Sequence, residues 1–388
     1  MNWVALRMLV GDKTKYLGIV FGVTFAALLM SQQSAIFCGL MRNTTSQIRD
    51  IEGADLWVMD PSVQFVDDVK PMNTNKLLRV RGVEGVAWAV KLYKGIGRAK
   101  LQDGNFQQVI LLGLDYDAKD AEGRVVGQPR DERILEGDWA ELSRPNTVFL
   151  DDFGWRYIFG EVPFERGKTM EINDTRAEIV GLVKCNPTFQ TFPILYTQYK
   201  QALEYCPPEP KQLTFILVKA QEGVRPELLC KTIEEKTELK AKTNDQFFWM
   251  TIDYYMERTG IPINFGITVM LGFVVGCAIA GQTFYLFTIE NLKQFGSLKA
   301  MGVTNLRIVG MVMLQAAVVG IIGYGLGIGG AALFGIVFAK LVTTAPPAYY
   351  FGWQILTLTG GAVFVIITIA AAMSLKKVLF LEAGVVFR

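Results

Sequence analysis

Four stretches of the chain run without the charges that a water-facing helix surface requires. Tyr16 to Met41, Gly260 to Ile289, Ile308 to Ala339 and Gln354 to Ser374 contain no Asp, Glu, Lys or Arg. A bilayer core takes about 20 apolar residues per spanning helix, so the pattern predicts transmembrane helices at 16–41, 260–289, 308–339 and 354–374. From Arg42 to Arg258 the pattern changes. Charges return, Pro and Gly punctuate, and short alternating runs appear. Strands are predicted at 54–59, 85–93, 107–114, 177–183 and 214–219. Helix is predicted in part of 191–205 and over 226–242, where Pro226 opens the first turn and Leu229 stacks on Ile233. The fold expected is therefore an α-helical membrane protein with four transmembrane helices plus a large α+β domain over 42–258. Residues about 117–210 are richer in Pro and turns than their flanks, and are read as a lobe inserted into a domain built from the flanking parts.

The connecting pieces carry their own signals. In residues 1–15, Trp3, Leu6 and Val10 recur at helical spacing with Arg7, Lys13 and Lys15 elsewhere, which predicts an amphipathic helix on the membrane surface. The first span is too long for a signal-peptide core and lacks a small-x-small cleavage site, so it is expected to be retained. Ser31, Gln32, Gln33 and Ser34 in its far half are expected to face another helix or water. Between the last two spans, 345–353 combines Pro346 and Pro347 with an aromatic cluster suited to the membrane–water interface. The fourth span ends at Lys376 and Lys377, and 375–388 forms the C-terminal segment.

Charge then sets orientation. Arg7, Lys13, Lys15, Lys293, Lys299, Arg307, Lys376 and Lys377 all fall on one side of a four-span arrangement. Basic residues stay in the cytoplasm, which places both termini and the 290–307 segment inside and the α+β domain outside.

Composition removes most chemistries. The net charge of +2 gives no nucleic-acid surface. There is no histidine, hence neither the commonest general base nor the commonest zinc ligand. The five cysteines have no metal-site spacing; Cys38 and Cys277 read as packing residues, while one disulfide among Cys185, Cys206 and Cys230 is left open. Gly167-Lys168-Thr169 ends like a nucleotide-binding loop, but the glycine required five residues earlier is Val162. No Asp, Glu, Lys or Arg lies within a span, which argues against ion coupling in the bilayer. Pairs such as Asp67-Asp68, Asp151-Asp152 and Glu234-Glu235 read as solvated surface. No catalytic constellation stands out, so an enzyme is not expected. Gly272 with Gly276, and Gly323 with Gly327, form small-x-x-x-small pairs; they suit close helix packing within the chain or contact with a second copy.

The block from Thr288 to Arg307, T-I-E-N-L-K-Q-F-G-S-L-K-A-M-G-V-T-N-L-R, resembles the E-I-G-x-L-K-A-x-G signature of FtsX/MacB-like (type VII) ABC transporter permeases. Gln315, the glycine-rich third span and the C-terminal segment resemble the family too, although Ala383-Gly384 replaces its usual Pro-Ala. The layout of one span, a large outer domain and three spans is similar along the full chain. Asp55-Leu-Trp57-Val-Met is most like the DevC-type permeases, which lack a fused ATPase domain.

The resemblance implies a non-catalytic permease subunit in the bacterial inner (plasma) membrane, with no cofactor of its own. ATP and Mg would be bound by a separate cytoplasmic ABC ATPase subunit, and a second copy would complete a homodimer. A periplasmic membrane-fusion adaptor and an outer-membrane channel are left open as further partners. The outer domain would resemble a Porter-like lobe with an inserted Sabre-like lobe. ATP-driven closure would be passed through the spans to that domain, to export or extrude a substrate. Regulation of a cell-wall hydrolase or a sensor kinase, and lipoprotein release, are the alternatives. The ATPase-coupling residues expected are Glu290, Lys293, Gln294, Gly296, Lys299, Gly302 and Arg307. A short helix of opposite charges keys into a groove on a soluble partner, and its glycines let it sit close or turn.

Overall fold

The computed structural model describes residues 2–51, 53–101, 104–115, 118–119, 126, 131–206, 213–342 and 348–379. The chain divides into two compact units, one formed by Met1–Gly39, Gly260–Leu341 and Ala348–Arg388, the other by Leu40–Thr259 and Val342–Pro347.

The first unit holds four helices long and apolar enough to cross a membrane: Lys13–Thr44, Ile261–Glu290, Asn305–Leu341 and Trp353–Lys376. The last continues to Leu379. In lipid, apolar side chains gain little by leaving solvent, so the helices meet where small residues let backbones approach. All four glycines singled out by spacing lie at such contacts within the chain. Gly272 sits on Leu29 and Met30, and Gly276 on Ala26 of the first span and Ile366 of the fourth. Gly323 faces Val23, and Gly327 faces Ala27, Thr24 and Leu28, so the third span also packs on the first. The common core gathers Ile19, Val23, Ala27, Phe284, Val312, Val319, Val363 and Ile366. Some polar groups inside it are paired, while the Thr24 and Thr359 hydroxyls and Gln315 Oε1 have no partner among the described residues. Ser31 Oγ donates to the Ala27 carbonyl at 2.6 Å, and the Thr288 and Ser374 hydroxyls meet between the second and fourth spans.

The N-terminal helix, Asn2–Gly11, forms where periodicity places it but buries a different face. Ala5 and Leu9 are fully buried, whereas Trp3 and Val10 are exposed. The cause is the third span, whose buried Gln315 donates from Nε2 to the Ala5 carbonyl at 2.7 Å and draws that face in. Arg7 lies over the outward Trp3 ring. Of the loop between the last two spans, Pro346 and Pro347 lie outside the described residues, as does the C-terminal segment from 380. Tyr349 is described: its hydroxyl donates to the Ala331 carbonyl at 2.7 Å, and its ring stacks on Phe351.

The second unit is built on one sheet of ten strands. In chain order they are β1 (Leu56–Met59), β2 (Val86–Lys100), β3 (Phe106–Leu114), β4 (Ile134–Glu136), β5 (Thr147–Asp151), β6 (Thr169–Ile172), β7 (Thr175–Val183), β8 (Ile194–Gln198), β9 (Phe215–Ala220) and β10 (Lys240–Thr243). They lie side by side as β10-β1-β9-β2-β3-β8-β5-β7-β4, with β6 pairing to β2 and β7. The residues inserted between β3 and β9 thus extend the sheet through the parallel β3–β8 pair instead of forming a sheet of their own. Successive side chains of β1 enter opposite cores: Leu56 and Val58 join Ile216, Leu229 and Ile233 on one face, Trp57 and Met59 join Leu92, Phe215 and Phe247 on the other. The inserted strands have a further core of Val148, Leu150, Trp155, Ile179, Leu195 and Tyr205.

Of the two predicted helices, the first is found in part of its range, as expected, and the second is shorter than predicted. In 191–205, β8 precedes a helix of only Tyr199–Tyr205. Four of the five β8 residues are buried, because it lies between β3 and β5, so the alternation that marks a half-exposed strand is missing. The helix predicted to reach 242 stops at Thr237. Glu238 turns left-handed with φ 58°, and β10 follows against β1. A further helix, Asn244–Arg258, not predicted from the sequence, opens on Thr243 and Gln246, which cap each other's backbone N–H groups at 3.2 Å. All five cysteines are free, so no disulfide joins Cys185, Cys206 or Cys230. Lys168 of the Gly-Lys-Thr triplet spreads its ammonium over Trp155 and Phe159, at 5.6 and 4.8 Å from the ring centroids.

Asp151, expected at the surface, is 3% exposed at the end of β5. Burial pushes its carboxyl up to about 8, although the Ile194 N–H donates to it at 2.8 Å. The unfolded chain loses this proton near the ordinary value of 3.8 and the folded domain near 8. Its contribution is thus complete below the lower value and is lost as pH rises through the upper one. Asp151→Asn, which stays neutral, is expected to flatten the fall in melting temperature of the solubilised chain between pH 6 and 9. An unchanged slope would show that the folded carboxyl is already ionised.

Candidate functional site between the second and third spans

The second span ends at Glu290, and Asn291 breaks the helix, its Nδ2 donating to the Phe287 carbonyl at 2.8 Å. A new helix, Leu292–Ala300, follows. Its Phe295 is fully buried and Gly296 is buried beside it, so the segment is anchored on one face, while Lys293, Gln294 and Ser297 are exposed. Gly302 then takes φ 86°, a conformation that costs a side-chain-bearing residue energy. Its N–H donates to the Lys299 carbonyl at 2.9 Å and that of Val303 to Leu298 at 3.1 Å, the paired closure of a left-handed helix end. Thr304 starts the third span, its carbonyl accepting from Arg307 at 3.1 Å and Ile308 at 3.2 Å. A helix, a glycine stop and a restart leave little freedom at the tip.

That tip is apolar. Met301 is 72% exposed and Leu306 82% exposed, on either side of Gly302. Neither was singled out from sequence, where the charges drew attention; exposure is decided by which neighbours Phe295 and Ile308 already occupy. The expected charged residues divide into two groups. Lys293 and Arg307 are exposed and Lys299 is half-buried. Glu290 instead pairs with Lys15 of the first span's helix, which also holds Asp12 at 2.8 Å. It belongs to the chain's own framework. Lys15 keeps the Asp12 carboxyl below its usual value. A cavity of about 520 Å3 between the N-terminal helix and this segment is lined by Trp3, Arg7, Asp12, Glu290 and Gln294. Set residue by residue against E-I-G-x-L-K-A-x-G, the signature falls on Gln294 to Gly302, with Gln294 in place of the glutamate and Phe295 in place of the isoleucine. Among the described residues no group of His, Cys, Asp and Glu could hold a metal ion.

The model of the FtsX-like permease C-terminal region matches residues 263–383, and that of the MacB-like periplasmic core domain matches 16–236, more than half of the chain. The chain belongs to the FtsX/MacB-like family of ABC transporter permeases. It is a multi-pass membrane protein and a non-catalytic permease subunit; permeases of this family work with a cytoplasmic ABC ATPase and often dimerise. Among solved structures, the permease is similar to the periplasmic region of MacB from Actinobacillus actinomycetemcomitans, at 17% identity over 55% of this chain and 96% of that one, with a TM-score of 0.38. It is also similar to the extracellular domain of the ABC-type transporter YknZ from Gram-positive bacteria, at 12% identity over 49% of this chain and 98% of that one, with a TM-score of 0.34. The assignment rests on the family models, not on these likenesses. No curated protein sequence matches the permease.

Proposed function

We propose that this permease converts ATP hydrolysis by a separate cytoplasmic ATPase into movement of its α+β domain outside the cell, as one of two copies, and that this movement drives export of a substrate. The observation that carries the reading is the tip of the segment between the second and third spans. Two apolar side chains, Met301 and Leu306, stand on a turn fixed by Gly302 and anchored by Phe295, with Arg307 exposed next to Leu306 in sequence and Lys293 exposed at the start of the same short helix. Exposed apolar side chains on a segment that also carries exposed basic residues are the material of a protein-docking site. The spans suit transmission of force, because their interior offers packed glycines and hydroxyls, and their uncharged stretches hold no Asp, Glu, Lys or Arg to carry an ion. The basic residues at 7, 13, 15, 293, 299, 307 and 376 support a cytoplasmic location for this tip.

Lys293→Glu combined with Lys299→Glu is expected to abolish stimulation of the co-purified ATPase by the permease, chiefly by slowing association. Unchanged complex formation and turnover in the double variant would overturn the assignment of this segment.

A further inference from the structure

We infer that Asp50 is the positioning residue through which movement of the first span reaches the far edge of the outer sheet. This rests on the ATP-driven movement proposed above and adds the route by which it enters the domain. The helix Lys13–Thr44 runs on from the first span, and a short helix, Ser46–Asp50, follows it directly. The Asp50 side chain is 2% exposed and, among the described residues, accepts three hydrogen bonds from two residues: Arg133 Nη1 at 2.8 Å, and Asn186 through its backbone N–H at 2.8 Å and its Nδ2. Arg133 stands immediately before β4, and Asn186 lies just beyond β7. Lys184 N–H donates to the Arg133 carbonyl at 2.8 Å, so the two partners belong to one paired edge.

The sheet order gives this contact its meaning. Along the chain, residues 46–51 lead to β1, second from one end of the sheet, whereas β7 and β4 are the last two strands at the other end. Asp50 therefore ties the segment that feeds one end of the sheet to the opposite end. A displacement of this segment acts on both ends together.

Among the described residues, the neighbours of Asp50 make other contacts. Ile48 and Ile51 are buried in the core with Trp139, Phe149, Val183 and Tyr196, but apolar contact is non-directional and lets surfaces slide. Thr44, Thr45 and Arg49 donate to carbonyls of Met41 and Arg42, within the same segment. The Gln47 carboxamide is buried, and neither its Oε1 nor its Nε2 has a partner among the described residues. Among the described residues, directional hydrogen bonds from this segment to the inserted strands include those to Asp50 and the longer Arg133 contact to the Arg49 carbonyl at 3.4 Å. Burial raises the Asp50 carboxyl, and its three donors oppose that shift.

The test uses the full permease with its ATPase in lipid vesicles, reading ATP turnover and the nucleotide-dependent change in hydrogen exchange over 131–206. Asp50→Ala is expected to leave turnover within about twofold and to reduce the exchange response of 131–206 roughly tenfold, since a buried charge cluster stripped of one member does not hold its geometry. A second variant guards against simple misfolding. With the five native cysteines replaced, Asp50→Cys and Asn186→Cys are expected to restore the response when oxidised to a disulfide and to lose it when reduced. A full response in Asp50→Ala, or one indifferent to the state of the bridge, overturns the assignment of Asp50 alone. If the unmodified permease shows no nucleotide-dependent change anywhere in 42–258, the movement itself is refuted, and this route with it.

Discussion

Replacing Met301 or Leu306 by aspartate is expected to weaken binding of the partner ATPase by roughly tenfold to a hundredfold each, the range of an interface centre whose loss costs about 1.4–2.8 kcal/mol. Both side chains are mostly exposed, so neither substitution removes core packing. The turn that presents them is held by Gly302 and by backbone hydrogen bonds that the substitutions leave intact. What changes is the desolvation of the contact: an aspartate at the centre must shed water without gaining a partner. Titrating the ATPase onto vesicles containing each variant measures the shift directly. Ser297→Ala, on the exposed face of the same short helix, serves as the control and is expected to bind normally. An affinity within twofold of normal for both aspartate variants would move the docking centre away from the tip.

The second large effect lies inside the membrane unit. Gly327→Leu is expected to destabilise the solubilised permease by at least about 3 kcal/mol, at or beyond the upper end of overpacking penalties. A Cβ at Gly327 would stand 2.5 Å from Ala27 Cβ, 2.8 Å from the Thr24 carbonyl oxygen and 2.9 Å from the Leu28 nitrogen. Two of those three atoms are backbone and cannot rotate away, so relief requires the first and third spans to separate. Gly329, two residues on, has nothing within 4 Å of its own Cβ position. Gly329→Leu should therefore melt close to the unmodified protein. Equal melting temperatures for the two variants would refute close packing of the first and third spans at Gly327.

The contrast between those glycines shows where sequence reasoning succeeds and where it stops. The spacing of Gly272 with Gly276 and Gly323 with Gly327 marked faces where helices approach, because small residues have few other uses in a span. It did not name the neighbour, which in each case includes the first span. The spans themselves were legible because uncharged length is a one-dimensional property. β1, β3, β7 and β9 were legible too, but β5 and β8 were not: Thr147–Asp151 is buried at every position and Ile194–Gln198 at all but the last, which erases the alternation that betrays a strand. The helix end at Glu238 was hidden because a non-glycine residue occupies the left-handed position. Between the second and third spans, charge suggested Glu290, yet its partner Lys15 lies in another helix. Asp50 was invisible for the same reason, since its partners are 83 and 136 residues away.

Strand β2 also constrains how relatives of this permease exchange parts. Its first half, Val86 to Leu92, pairs with β9; from Leu92 to Lys100 it pairs with β3, and its last two residues also meet β6. Fifteen residues at about 3.3 Å each make a ribbon roughly 50 Å long that passes from one core to the next. Cutting at the ends of the insert in sequence would strip β3 of β8 and leave a bare hydrogen-bonding edge. A chimera that swaps specificity between members should therefore inherit the far half of β2 and all of β3 together with the insert, as one heritable block.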